Sequence, residues 1–364
     1  MIYHKPYWIA LLLGTLFLIS SSSFEYEPSL YVFPELKYFP TMPLAANNPV
    51  TQEGIELGRF LFYDPILSKD SSISCANCHK QEYAFSDGGK RFSSGINNSI
   101  MNRNTPALFN LAWNKGLFWD GRANSIEEQV FHPVRKHDEM GLNWQEVADR
   151  LSQDQFYRKY FIKAFGNVDI DSTLVARAIA QFERTLISNN SKYDQALNRE
   201  IRFTKEEFEG FVLMNDQTKG DCLHCHTTDA DPLGTTGTFS NNGLDSVTDP
   251  YDYLDPGLGA ITKDLDDYGK FRIPSLRNVM LTGPYMHDGR FQTLEEVLVF
   301  YSEGVHQSIN IDSKMTMAHR GGVHLTKDEQ RKIIVFLRTL TDSTFIRDCA
   351  YSNPFMFHAK PQSR

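Results

Sequence analysis

The sequence predicts a mainly α-helical protein made of two related domains in tandem, and three observations predict it. Apolar residues recur at helical spacing, as at Leu174, Ala178, Phe182 and Leu186, with little of the alternation that marks strands. Hydroxyl residues stand three positions before acids at Thr204 and Glu207 and again at Thr326 and Glu329, the pattern of a helix start whose two side chains cap each other's backbone. The third observation is an internal repeat. Pro106-Ala107-Leu108-Phe109-Asn110 parallels Pro274-Ser275-Leu276-Arg277-Asn278. Asp120-Gly121-Arg122 with Ser125-Ile126-Glu127-Glu128 then lines up, without a gap, with Asp288-Gly289-Arg290 and Thr293-Leu294-Glu295-Glu296. Ser125 and Thr293 read as equivalent N-caps, with Glu128 and Glu296 completing a capping box in each half.

Taken in order, residues 1–5 carry a charged start, residues 8–19 an apolar run and residues 20–23 serines, which reads as a signal peptide over residues 1–23. The run is too short to cross ~30 Å of hydrocarbon, so no stable membrane span is expected once it is removed, and the protein is expected in the periplasm. Helices are expected over residues 55–62, 144–165 and 171–188, then from Thr204 toward residue 222, and finally in a closing helix carrying Ile333, Phe336, Leu337 and Leu340. Residues 95–104 form a polar, mobile loop, and residues 227–262, rich in Gly, Asp, Asn and Thr, form a long loop that only one half possesses. The expected division is therefore residues 24–200, residues 201–347 and a loose tail over 348–364. With 364 residues the chain has enough length for two cores, and its formal net charge of −8 argues against nucleic acid as a partner.

Cysteine usage sets the chemistry. Of five cysteines, four form the segments Cys75-Ala76-Asn77-Cys78-His79 and Cys222-Leu223-His224-Cys225-His226. Both fit C-x-x-C-H, in which two thiols on one turn add to the vinyl groups of a heme and the next imidazole reaches the iron. A zinc site or a thioredoxin-like redox pair competes with a single such motif; two motifs behind an export signal make them remote. The expectation is two cytochrome c-like heme domains in tandem, each with one covalently bound heme c, His79 and His226 being the proximal ligands. Cys349 is left over, either as a free thiol near the tail or as a link to a partner.

The copies differ where it matters. About one helical turn past Glu128 and Glu296, Pro133 stands opposite Tyr301, and farther along Glu139 stands opposite Gln307. Proline cannot ligate iron, so the first heme keeps an open position while Tyr301 can serve as sixth ligand to the second, unless it is an ordinary core aromatic on an amphipathic helix. A carboxylate beside an open heme can shuttle a peroxide proton, an effect worth ~10²–10⁴ in rate.

Leu57-Gly58-Arg59-Phe60-Leu61-Phe62-Tyr63-Asp64, Arg103-Asn104-Thr105-Pro106, Phe118-Trp119-Asp120-Gly121-Arg122 and Tyr285-Met286-His287-Asp288-Gly289-Arg290 resemble the bacterial diheme cytochrome c peroxidases, over about residues 50–345. The resemblance implies that hydrogen peroxide is reduced at the N-terminal heme with electrons entering through the C-terminal one from a small c-type cytochrome or other periplasmic donor. It further implies that Trp119 relays electrons between the hemes, a role weighed against plain packing, and that Gln129 and Glu139 line the distal pocket of the first. A calcium ion would lie between the domains on Asn104 and the backbone oxygens of Thr282 and Pro284. His287 would contact a propionate or the interface, or be a structural histidine. Two departures, no histidine between His79 and His132 and Tyr301 in place of a methionine ligand, look like the MauG branch, whose member in methylamine metabolism oxidises tryptophans of a protein partner. Two alternatives to peroxide reduction follow: MauG-like oxidation of tryptophan or tyrosine in a protein partner, and a non-enzymatic diheme electron carrier capped at the first iron by His132 or His137.

Overall fold

The computed structural model describes residues 27–166, 169–227 and 233–357, so the expected signal segment lies outside the described residues. The fold is mainly helical, as expected. Along the chain come α1 (Gln52–Tyr63), α2 (Cys75–Cys78), α3 (Ile126–Arg135), α4 (Trp144–Gln153), α5 (Gln155–Phe165), α6 (Ser172–Thr185), α7 (Lys192–Leu197) and α8 (Lys205–Asn215). There follow β1 (Phe239–Ser240), α9 (Gly259–Thr262), β2 (Phe271–Arg272), α10 (Leu294–Val299) and α11 (Lys327–Arg338). Strands β1 and β2 pair antiparallel, Phe239 opposite Arg272, in the only sheet among the described residues.

Each half is organised by a helix pair that crosses backbone to backbone. Thr51 caps α1, and Leu57, Phe60 and Leu61, at spacings of three and four, bury one face against Val175, Ala178 and Ile179 of α6. Gly58 sits at the crossing, where a Cβ would collide with the Ala178 carbonyl oxygen. The second half repeats the device: α8 meets α11 at Gly210, whose Cβ would collide with the Lys332 carbonyl oxygen, and Phe211 packs on Phe336. In both halves the first helix of the pair precedes the C-x-x-C-H segment in the chain and packs against it.

Several expectations need correction. Residues 144–165 are two helices, because Asp154 leaves helical geometry and caps α5 through its side chain on the Phe156 N–H. Thr293 and Glu296 form the full capping box, whereas Glu128 reaches past Ser125 to the Asn124 N–H at 2.8 Å. Residues 95–104 are tied down by bonds from the Ile96 N–H to the Glu139 carbonyl and from the Asn104 N–H to the His287 carbonyl. The 227–262 stretch contains β1 and α9. The tail is docked rather than loose up to residue 357: Arg59 Nε donates to the Ser352 carbonyl at 2.7 Å and Phe355 packs on Phe60 and Phe156.

The halves are stitched together by buried polar groups. Arg277, 1% exposed, pairs with Asp194; Asp342 accepts from the Asn189 and Asn190 N–H groups; and the Arg272 N–H donates to the Trp119 carbonyl at 2.8 Å. Replacing Gly58 or Gly210 by Ala pushes a methyl into a facing carbonyl, an overpacking that costs ~1–3 kcal/mol. Urea denaturation of Gly58→Ala and Gly210→Ala should show lowered midpoints, and midpoints equal to wild type would contradict the close crossings.

Candidate heme sites

Two cavities lie behind the helix pairs, and each contains one C-x-x-C-H segment. The first, of about 860 Å³, is lined by Cys75, Cys78 and His79 on one side and by α3 and the loop after it on the other. Ser74 and Asn77 cap each other around α2, which sets the two thiols one turn apart; neither forms a disulfide. His79 Nδ1 lies 2.7 Å from the Phe85 carbonyl, which can only accept, so this nitrogen carries the proton and Nε2 keeps its lone pair. Burial lowers the pKa of the ring, favouring the neutral form that ligates metal.

The opposite wall carries Gln129, His132, Pro133 and Glu139. Glu139 is half-buried; the surrounding protein raises its carboxyl pKa, against the pull of Lys136 at 3.7 Å and of Arg122. Among the described residues His132 is the only other imidazole lining this cavity, its ring edge-on to Phe118 at 5.3 Å. His137 is exposed beside Asp138 and does not line it.

The second cavity, of about 320 Å³ and mostly apolar, holds Cys222, Cys225 and His226, here on a 3₁₀ turn (Cys222–His224). His226 Nδ1 donates to the Pro274 carbonyl at 3.0 Å, and burial pushes the ring pKa down to about 4. Across from it, α10 runs into a π-helical turn, Phe300–Gly304, a local widening that recurs at functional sites. That turn carries Tyr301 into the cavity lining, where Asn242 Nδ2 donates to its Oη at 3.0 Å. Burial pushes the phenol up to about 12, and the Asn242 bond opposes it. Met286, Met315 and Met317 also line this cavity.

Trp119, Arg272 and the segment Asn104 to Ala107 line both cavities, so one wall separates them. Trp119 is buried and its Nε1 donates to the Asn104 carbonyl at 2.8 Å. Asn104 spends its amide N–H groups on the Lys90 and Arg91 carbonyls, and shares the second cavity's wall with Thr282 and Pro284. These are uncharged oxygens of the kind a hard cation takes. No group of three or more His, Cys, Asp or Glu that could hold a metal ion occurs among the described residues. His287 is buried, with its ring stacked on Phe271 at 3.6 Å. Cys349 is exposed, its carbonyl accepting from Arg59.

The donor sets fit heme c. Each cavity offers two free thiols and an imidazole whose outer nitrogen is already tied to a carbonyl, the orienting bond that metal-bound histidines make. Two such cavities sharing one wall in a helical chain define a diheme protein of the c type. The comparisons agree. The family model for di-haem cytochrome c peroxidase matches residues 52–202. The chain is 35% identical over 302 residues to the methylamine utilization protein MauG of Methylorubrum extorquens, covering 82% of this chain and 81% of that one. It is 34% identical over 314 residues to the cytochrome c551 peroxidase of Nitrosomonas europaea, covering 83% and 84%. Among solved structures, a MauG-like protein associated with microbial copper homeostasis superposes with a TM-score of 0.81 at 34% identity, over 89% of this chain and 99% of that one. The chain belongs to the diheme cytochrome c peroxidase family, whose members named MauG and cytochrome c peroxidase it matches alike. The family is one of oxidoreductases carrying two c-type hemes. No helix among the described residues is long and apolar enough to cross a membrane.

Sequence reasoning missed Asn242, which lies in the stretch read as a loop, and Glu183, which looks like one more charge on an amphipathic helix. Glu183 lies on α6, 4% exposed, lining the first cavity with Oε2 unpartnered among the described residues. Burial pushes its carboxyl up to about 8 from 4.5, Glu127 adding to the rise and Arg184 opposing it. Between those values the unfolded chain sheds a proton that the folded one keeps, so stability falls as pH rises through this window. Glu183→Gln should flatten the unfolding temperature against pH between about 4.5 and 8; an unaltered slope would mean Glu183 is ionised throughout.

Proposed function

We propose that this protein reduces hydrogen peroxide in the first cavity, with electrons arriving through the second from a small c-type cytochrome or similar donor in the periplasm. The observation that carries this reading is the asymmetry between the cavities: Pro133 and Glu139 line the first, Tyr301 the second. When bound, the two hemes supply iron redox chemistry and, in the first cavity, a coordination position that peroxide can take.

The chain's own residues do the rest. Cys75 and Cys78, and Cys222 and Cys225, would hold the groups through thioether bonds, while His79 and His226 would ligate through the Nε2 that their carbonyl bonds leave free. Pro133 has no side-chain atom to offer a metal. Glu139 accepts a proton at a carboxylate oxygen and returns it to the departing oxygen; its raised pKa moves it toward the working range of a general acid–base group. Gln129, on the same wall, orients the reactant with its amide. Trp119, shared by both cavities and fixed by its bond to Asn104, is the relay. Tyr301 Oη would be a further ligand for the iron of the second heme, and the Asn242 donor would support negative charge on the phenol oxygen. Asn104, Thr282 and Pro284 are the calcium ligands of this proposal.

A second reading, MauG-like oxidation of tryptophan or tyrosine in a protein partner, is favoured by one observation, Tyr301 with its Asn242 donor. A hard anionic oxygen stabilises oxidised iron, which suits sharing an oxidising equivalent across Trp119.

Glu139→Gln should react with peroxide ~10²–10⁴ more slowly in stopped flow with heme content intact, and wild-type rates would take Glu139 out of the mechanism. Tyr301→Phe should change the absorption of the second heme alone; an unchanged spectrum would make Tyr301 a packing residue. Fast steady-state turnover with a reduced small cytochrome supports peroxide reduction. Slow turnover, with the fully oxidised protein instead oxidising an added protein, supports the second reading.

A further inference from the structure

Among the described residues three arginines are buried, Arg184, Arg272 and Arg277, and Arg103 is partly buried; all but Arg272 are paired. Arg184 forks onto Glu127 at 2.7 and 2.8 Å, Arg277 pairs with Asp194, and Arg103 bridges Asp120 and Asp255. Arg272 is the exception. It is 7% exposed and lies on the wall shared by the two cavities; its N–H is spent on the Trp119 carbonyl and its Nε on the Phe118 carbonyl at 3.1 Å. Its two Nη atoms have no acceptor among the described residues, and no carboxylate offsets the burial that pushes its pKa down to about 10. A guanidinium keeps its charge inside a protein, and a buried charge left without a counter-charge is strongly unfavourable. The anion that belongs beside it must therefore come from what fills the cavities. Heme c carries two propionate carboxylates and no other acid.

We propose that Arg272 is the shared counter-ion of the two hemes, donating through its Nη atoms to propionate carboxylates presented from both cavities. The inference rests on the two-heme reading. It makes Arg272 a positioning residue with an electrostatic consequence: its backbone and Nε bonds fix a positive charge next to Trp119, between the redox centres, where it favours the reduced state of both. Planarity and the two outward Nη groups suit bidentate capture of carboxylates, which a lysine ammonium reproduces in charge but not in geometry.

The test is a spectroelectrochemical titration of holoprotein from wild type, Arg272→Gln and Arg272→Lys, with heme stoichiometry measured in each. Arg272→Gln should move both midpoint potentials negative, and Arg272→Lys should restore most of that shift, a rescue that a merely structural role would not give. Two hemes with unmoved midpoints overturn the proposal alone; movement of only one midpoint overturns the sharing. Fewer than two hemes in wild type overturns the two-heme reading and the proposal with it. Should Arg272→Gln fail to mature, resonance Raman of the wild-type protein decides, since propionate bending bands at hydrogen-bonded positions in both hemes support the proposal and bands at free positions overturn it.

Discussion

The arrangement depends on two hydrogen bonds, from His79 Nδ1 to the Phe85 carbonyl and from His226 Nδ1 to the Pro274 carbonyl. Each fixes a tautomer and aims one free nitrogen into a cavity that also offers two thiols. Without that constraint the imidazoles could turn, and the helix pairs packed behind them would frame an apolar hollow with no directional chemistry. Gly58 and Gly210 let α1 and α8 approach α6 and α11 closely, and α1 and α8 in turn pack against the C-x-x-C-H segments. Two copies of one device thus give the same chemical preparation twice.

The proposed function rests on what the duplication does not repeat. In the first half α3 keeps α-helical geometry through Pro133, and the following loop returns Glu139 to the cavity. In the second half the equivalent helix opens into a π turn at Tyr301, and the inserted stretch contributes Asn242 to the phenol oxygen. Between them stands a single wall. Trp119 supplies a buried π system there and Arg272 a buried charge, each held by main-chain carbonyls. Neighbouring cavities with unlike ligand chemistry and a shared wall suit electron traffic better than either could alone.

How much of this was legible in the sequence depends on how local the signal is. The C-x-x-C-H segments and the repeat are contiguous, and so were readable, as were the helices, whose apolar stripes follow a fixed period. The pairing of Pro133 against Tyr301 could be read because the repeat aligns without gaps. Local competition was harder: one capping side chain, Asp154, split an expected long helix, and Glu128 chose the Asn124 N–H over that of Ser125. Long-range facts were not legible. Nothing around Glu183 or Arg272 separates a buried charge from a solvated one, because burial is decided by elements distant in the chain. Asn242 lies in a polar stretch where every residue looks like a loop residue, and only the fold brings it to Tyr301. The tail looked loose because its anchor, Arg59, lies near the other end of the sequence.

The proposed function requires two irons that differ in ligation, the first keeping a free position and the second not, although His132 also lines the first cavity. Electron paramagnetic resonance of the fully oxidised holoprotein addresses it most directly. The account predicts one high-spin and one low-spin ferric signal in equal amounts, whereas two low-spin signals would mean that a side chain such as His132 closes the first site.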